Sequence, residues 1–196
     1  MTDHLMNTQT DLHAPERELV VAAQLGDRAA CKAIYEVHHE RVYNLTYYLL
    51  NDTRLVEDVV QTVFLKILRG LPGFRFEANL STWIYQITVN ECQNQNRQRR
   101  MKQVSFESLM GSGEEADDLS IPENRHVRNE RRAIIRQAVL KLSPKLREVV
   151  ILKYLEGLSY DEMAIVLDCA AGTVASRLNR ALSRLEKQLR PLKRIL

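Results

Sequence analysis

Apolar residues recur at helical spacing through both ends of the chain. The first groups are Leu19, Ala22 and Ala23, then Ala33, Ile34 and Val37, then Val42, Leu45 and Leu49. The helix they begin is expected to start at Pro15. A second amphipathic segment is 55-LVEDVVQTVFLKILRG-70, with Val56, Val59, Val60, Val63, Phe64 and Ile67 on one face. Asn51-Asp52-Thr53 interrupts the chain before it, and Gly70-Leu71-Pro72-Gly73 ends it. The next helix is expected from 82 to 100, with Ser81 as its N-cap.

The pattern then stops. Residues 103–127, including 111-GSGEEADDLSIPEN-124, are acidic and poor in aromatics, the composition of a flexible linker. Helical spacing returns over 128–142, ends at Ser143-Pro144, and resumes from 145 to 156 before Gly157. The expected fold is all-α: two small helical domains (15–102 and 128–196) joined by an acidic linker (103–127), with residues 1–14 as a disordered tail.

The stretch 157-GLSYDEMAIVLDCAAGTVASRLNRALSRL-185 has the form of a helix, a tight turn and a second helix. On a wheel of about 100° per residue, Val174, Leu178, Ala181, Leu182, Leu185 and Leu189 share one side of the second helix. Ser176, Arg180 and Ser183 lie opposite, flanked by Thr173, Arg177, Asn179 and Arg184. In helix-turn-helix geometry such a face enters the major groove, where arginine can contact guanine bidentately. The plainer alternative is a solvated basic face on a helical hairpin.

Charge sharpens the contrast between segments. The chain of 196 residues carries a net charge of +3. Residues 1–102 hold 12 basic and 12 acidic residues, 103–124 hold no basic and six acidic ones, and 125–196 hold 16 basic and seven acidic, a net +9. The last segment therefore suits a polyanion, and the acidic one does not. Cys31, Cys92 and Cys169 are odd in number and widely spaced, as in a reducing compartment. No apolar run approaches the roughly 20 residues of a membrane helix, and the N-terminus lacks an apolar signal core. A cytoplasmic location is expected. The adjacent His38 and His39 point about 100° apart on a helix, which disfavours a shared metal. No catalytic residue, metal or cofactor is expected.

Two surfaces of the first domain invite a partner. The outer face of the 55–69 helix presents Glu57, Asp58, Gln61, Thr62 and Leu65, which suits a protein, or is simply solvated. The stretch 73-GFRFEANLSTWIYQITVNECQNQNRQRR-100 interleaves Phe74, Phe76, Trp83 and Tyr85 with polar residues and ends in Gln93, Asn94, Asn96, Arg97, Arg99 and Arg100. Aromatic faces, amides and arginines suit unpaired bases and phosphates, though Phe74, Trp83 and Tyr85 could equally be core. Exposure is expected for the loop Phe74–Asn79.

Taken in order, 57-EDVVQTVFLKI-67, 80-LSTWIYQITVN-90 and 143-SPKLREVVILKYLEGLSYDEMAIVLDCAAGTVASRLNRALSRL-185 resemble the conserved segments of extracytoplasmic-function (ECF, group four) sigma factors of bacterial RNA polymerase. The resemblance covers about Leu19–Lys102 (sigma domain two) and Arg128–Leu189 (sigma domain four). It implies the partners core RNA polymerase, promoter DNA and an anti-sigma factor. It implies that the 55–69 helix, through Glu57, Asp58, Gln61, Thr62 and Leu65, docks on the polymerase. Phe74, Phe76, Asn79, Ser81, Trp83, Asn90, Asn94, Arg97 and Arg100 would bind the melted minus-ten element and its duplex edge. Thr173, Ser176, Arg177, Asn179, Arg180 and Arg184 would read the minus-thirty-five element, and the acidic linker would thread the polymerase.

Three positions depart from the family's usual pattern: Thr62 stands for an acidic residue, Ala175 for a cation, and Ala170-Ala171 for Pro-Val. A changed minus-thirty-five preference, carried more by Arg177 and Arg180, is expected. The competing readings are a stand-alone helix-turn-helix regulator, for which no zipper or sensor domain is evident, and a nuclease, for which no ligand cluster is evident.

Overall fold

A computed structural model describes residues 14–110 and 128–190. The expected tail, up to residue 13, and the linker stretch 111–127 lie outside these residues. The described chain is helical, with no strand among the described residues. Its helices are α1 (Ala14–Gln24), α2 (Arg28–Leu49), α3 (Val56–Gly70), α4 (Leu80–Met110), α5 (Arg128–Leu140), α6 (Pro144–Tyr154), α7 (Tyr160–Val166) and α8 (Ala171–Leu189). Short 3-10 turns at Thr53–Leu55 and Leu71–Gly73 flank α3.

Local chemistry sets the boundaries. Gly26 takes φ +89, and Asp27 then caps α2, accepting from Ala29 N at 2.7 Å and Ala30 N at 3.3 Å. Two boundaries differ from expectation. The amide of Trp83 donates to Asn79 O, so Asn79 rather than Ser81 stands at the N-cap of α4. That helix also continues to Met110, into the stretch expected as linker.

α1–α4 form one module around Val20, Ile34, Val42, Leu45, Ile67 and Ile84, and all six expected apolar positions of α3 are buried. Val37 is 63 % exposed, against expectation. The buried line of α2 runs Ile34, His38, Val42, Leu45 and Leu49, and turns Val37 outward. His38 fills the core place instead. Burial, with Arg41 nearby, lowers its pKa to about 4, so it is neutral at pH 7.

α6–α8 form the second module, with Val149, Leu152, Met163, Val166, Val174 and Leu178 in its core. Each such side chain taken fully from water contributes about 1.5–3 kcal/mol. Leu182 is 38 % exposed and does not join that core.

The two modules pack on each other, α2 against α5 and α6, and α4 against α7. Polar groups cross the seam. Arg147 of α6, only 4 % exposed, donates to Leu49 O at 2.9 Å and Asn51 Oδ1 at 2.7 Å. Arg136 of α5 donates to Tyr47 O at 3.3 Å and stacks over the Tyr47 ring. Tyr85 of α4 lies beside Glu156, with Arg41 alongside.

Candidate polymerase and nucleic-acid surfaces

The amphipathic period of α3 turns Glu57, Asp58, Gln61 and Leu65 outward, all exposed, while Thr62 is half-buried. The Thr62 hydroxyl donates to Asp58 O at 2.9 Å, so this departure from the family pattern turns a polar group inward onto the helix. Beside this face lies a groove of about 530 Å³. Its far wall is an aromatic ladder on α2: Tyr35, His39 and Tyr43, at i, i+4 and i+8. The Tyr35 and Phe64 rings are 4.6 Å apart, and His39 stacks on Phe64 at 6.0 Å. Leu65 (48 % exposed) and Leu68 (43 %) form the rim. An apolar groove edged by Glu57, Asp58 and Gln61 suits a protein partner. The aromatic wall was not among the expected site residues; its i, i+4, i+8 spacing is the signal that marks it.

The loop after α3 is divided between core and surface. Phe74 is buried, against the expected exposure, with its ring 5.0 Å from Phe76 and 5.1 Å from Trp83. It therefore supports the loop and offers no free face to a base. Trp83 is half-buried and packs on the core. Phe76 is half-buried with φ +58, a left-handed conformation uncommon outside glycine. The guanidinium of Arg17, from α1, lies 4.6 Å over the Phe76 ring. Arg17, Phe76, Asn79 and Thr82 line a pocket of about 350 Å³. Asn79 is exposed and Ser81 half-buried. Arg17 is a further functional candidate that sequence reasoning missed, because only the tertiary fold brings α1 to this loop.

Gly70 underlies this geometry. A Cβ there would stand 2.9 Å from Trp83 Cζ2 and 3.2 Å from Cη2. Gly70→Ala is expected to displace the indole and cost about 1–3 kcal/mol. Trp83 is the only tryptophan, so a shifted fluorescence emission and a lower urea midpoint would report it directly.

Farther along α4, Asn90 and Arg97 are exposed and Asn94 is half-buried, and their spacing of four and three places them on one stripe. Arg100 is exposed beside them. Glu91 and Cys92 face inward, where burial pushes the Cys92 thiol up to about 12 and Lys66 pairs with Glu91.

In the second module Ser159 and Glu162 form a capping box at the start of α7, which holds the Glu162 carboxyl below its usual range. The turn into α8 passes through Asp168 at φ +45. α8 is anchored by Val174, Leu178 and Ala181. Ser176, Asn179, Arg180 and Arg184 are exposed on the opposite face, while Thr173 and Arg177 are half-buried. Arg180 Nε donates to Ser176 O at 3.3 Å, and Arg177 Nη1 reaches Cys169 Sγ at 3.6 Å. Ala170 supplies no side-chain cap, so the first amides of α8 lack a side-chain acceptor.

A helical module with an acidic-apolar groove and an aromatic loop, packed with a basic helix-turn-helix, defines a transcription protein of two modules. Residues 34–102 match the family Sigma-70 region 2, and residues 132–185 match Sigma-70, region 4. The chain is 31 % identical over 185 residues to the RNA polymerase sigma-H factor of Pseudomonas aeruginosa, covering 91 % of this chain and 96 % of that protein. It is 34 % identical to the ECF RNA polymerase sigma-E factor of Escherichia coli K12, covering 90 % and 95 %. The sigma factor RpoE of Bartonella quintana, solved in complex with the anti-sigma factor NepR, superposes with a TM-score of 0.65 at 26 % identity, over 81 % of this chain and 96 % of that one.

The chain belongs to the ECF sigma factors of bacterial RNA polymerase. It binds core polymerase and directs promoter-specific initiation. The sigma family is not a family of enzymes. No helix among the described residues is long and apolar enough to cross a membrane, and no cluster of three metal-ligating side chains occurs among them.

Proposed function

We propose that three surfaces divide the work of initiation in the cytoplasm, without catalysis by the chain itself. Glu57, Asp58, Gln61 and Leu65, with the groove wall of Tyr35, His39 and Tyr43, hold core polymerase. Phe76, Asn79, Ser81 and the edge of Trp83 trap an unstacked base of the minus-ten element, with Asn90, Asn94, Arg97 and Arg100 following the strand. Base stacking on an aromatic is worth about 1–3 kcal/mol. The exposed row of α8, with Thr173 and Arg177, reads the minus-thirty-five duplex, while the first amides of α8 meet its phosphates.

The observation that carries this reading is the exposure of polar α3 residues beside an otherwise unexplained aromatic groove. An anti-sigma factor controls the chain in this reading; the support is the RpoE–NepR complex of a relative that matches most of the chain.

The decisive test is transcription from a random promoter library by core polymerase with and without the chain. Initiation at sites sharing two short elements is expected; duplex binding without any gain in initiation would favour a stand-alone regulator. In that assay Arg180→Ala should weaken promoter binding by about 1–3 kcal/mol and relax one base position. Asp58→Ala with Gln61→Ala should lower core affinity in a competition assay while leaving the urea midpoint unchanged.

A further inference from the structure

One side of α1 meets the loop that follows α3 at two places. Gln24, the last residue of α1, donates from Nε2 to Leu71 O at 3.0 Å and to Phe74 O at 2.9 Å. These two carbonyls bracket the 3-10 turn through which the chain leaves α3. Two turns back along the same side of the helix, the Arg17 guanidinium lies 4.6 Å over the Phe76 ring. Between them Val20 is fully buried, which fixes the side of α1 that faces inward. The end of α1 is itself closed. Asp27 N donates to Ala22 O and Gly26 N to Ala23 O, both at 3.1 Å, with Gly26 at φ +89. Gln24 is therefore carried on a stopped helix end and Arg17 on a regular turn. Phe76 is the residue that needs such support. Its φ of +58 is costly for an aromatic residue and persists only where neighbours hold it.

We propose that Gln24 and Arg17 are positioning residues for promoter melting: α1 is the template that fixes the loop from Leu71 to Phe76 in the shape that receives an unstacked base. This rests on the assignment of Phe76 and Asn79 to the promoter strand. The two contacts divide the task by their chemistry. The Gln24 amide has two N–H donors and meets two carbonyl acceptors, so it sets the backbone where the loop begins. Gln24 is half-buried with its amide engaged by the loop, so it acts through the loop and not on DNA. The Arg17 guanidinium holds the Phe76 ring in its left-handed setting through a cation–π contact. Arg17 is exposed, so it also places a cation beside a site for a polyanion. A loop without these two contacts keeps its aromatic and amide groups but loses the single arrangement in which they meet a base together.

The test uses holoenzyme reconstituted from core polymerase and the full chain, carrying Gln24→Leu together with Arg17→Ala. Leucine keeps most of the volume of glutamine and removes both donors. The probes are a random-sequence single-stranded DNA pool, from which bound strands are sequenced, and a random-sequence duplex pool. Wild-type holoenzyme is expected to enrich a short single-stranded motif. The double variant is expected to lose about tenfold in affinity for that motif and to relax the preference within it, while core affinity and duplex binding stay unchanged. A merely structural role would reduce the amount of active chain and leave the preference of the bound fraction as it was. That outcome would overturn the proposal, as would wild-type affinity for the motif. Arg17 is exposed, so Arg17→Ala alone decides by the same two readouts should the double variant fail to bind core. Failure of the underlying assignment looks different. In that case Phe76→Ala with Asn79→Ala would also leave the motif and its affinity unchanged.

Discussion

Arg147→Ala is expected to lower the stability of the chain by about 3 kcal/mol or more, and to separate the two modules in solution. Hydrogen bonds to a charged group are each worth about 1.5–3 kcal/mol, and this guanidinium makes four. Nη1 donates to Leu49 O and Asn51 Oδ1, and Nη2 donates to Leu140 O at 2.5 Å and Leu142 O at 3.3 Å. Leu49 and Leu140 are the last residues of α2 and α5, so their carbonyls have no acceptor role within their own helices. One cation therefore closes the C-termini of helices from both modules, at the ends where the helix dipole favours positive charge. Burial lowers its pKa to about 10, which still leaves it charged at pH 7. Alanine would leave those carbonyls buried without a donor. Lysine should rescue little, because its point charge cannot fork to opposite sides. A urea titration and small-angle scattering would measure the two effects; an unchanged midpoint and an unchanged radius of gyration would contradict both.

Phe64→Ala should cost about 3–5 kcal/mol of stability and also remove the floor of the groove proposed to hold core polymerase. Phe64 is 6 % exposed, yet it touches the groove through Tyr35 and His39. Its substitution joins a cavity to a lost contact surface, so stability alone cannot assign its role. Phe64→Leu separates the two. Leucine fills much of the cavity but cannot stack with Tyr35, so the urea midpoint should largely recover. Core affinity should recover less. Equal recovery of both would reduce Phe64 to a packing residue.

The amphipathic periods of α3 and α8 and the charge contrast between segments were legible in the sequence. Each depends on residues close in the chain, where period and side-chain chemistry act directly. The exposed residues of α3 and α8 follow from the same periods. Elsewhere local rules were insufficient. Period alone could not rank Val37 against His38 for the core, because the packing of α1 decides which stripe of α2 is covered. It could not separate Phe74 from Phe76, since the left-handed turn at Phe76 and the neighbouring Trp83 divide them between core and surface.

By itself, then, the sequence determined the helical composition, the two modules, and the outward polar sides of α3 and α8. Only the tertiary structure decided that Arg17 meets Phe76, that Tyr35, His39 and Tyr43 wall a groove, and that α7 packs on α4. These juxtapositions link segments dozens of residues apart. They are set by which buried surfaces fit together, and no local period in the chain encodes that fit.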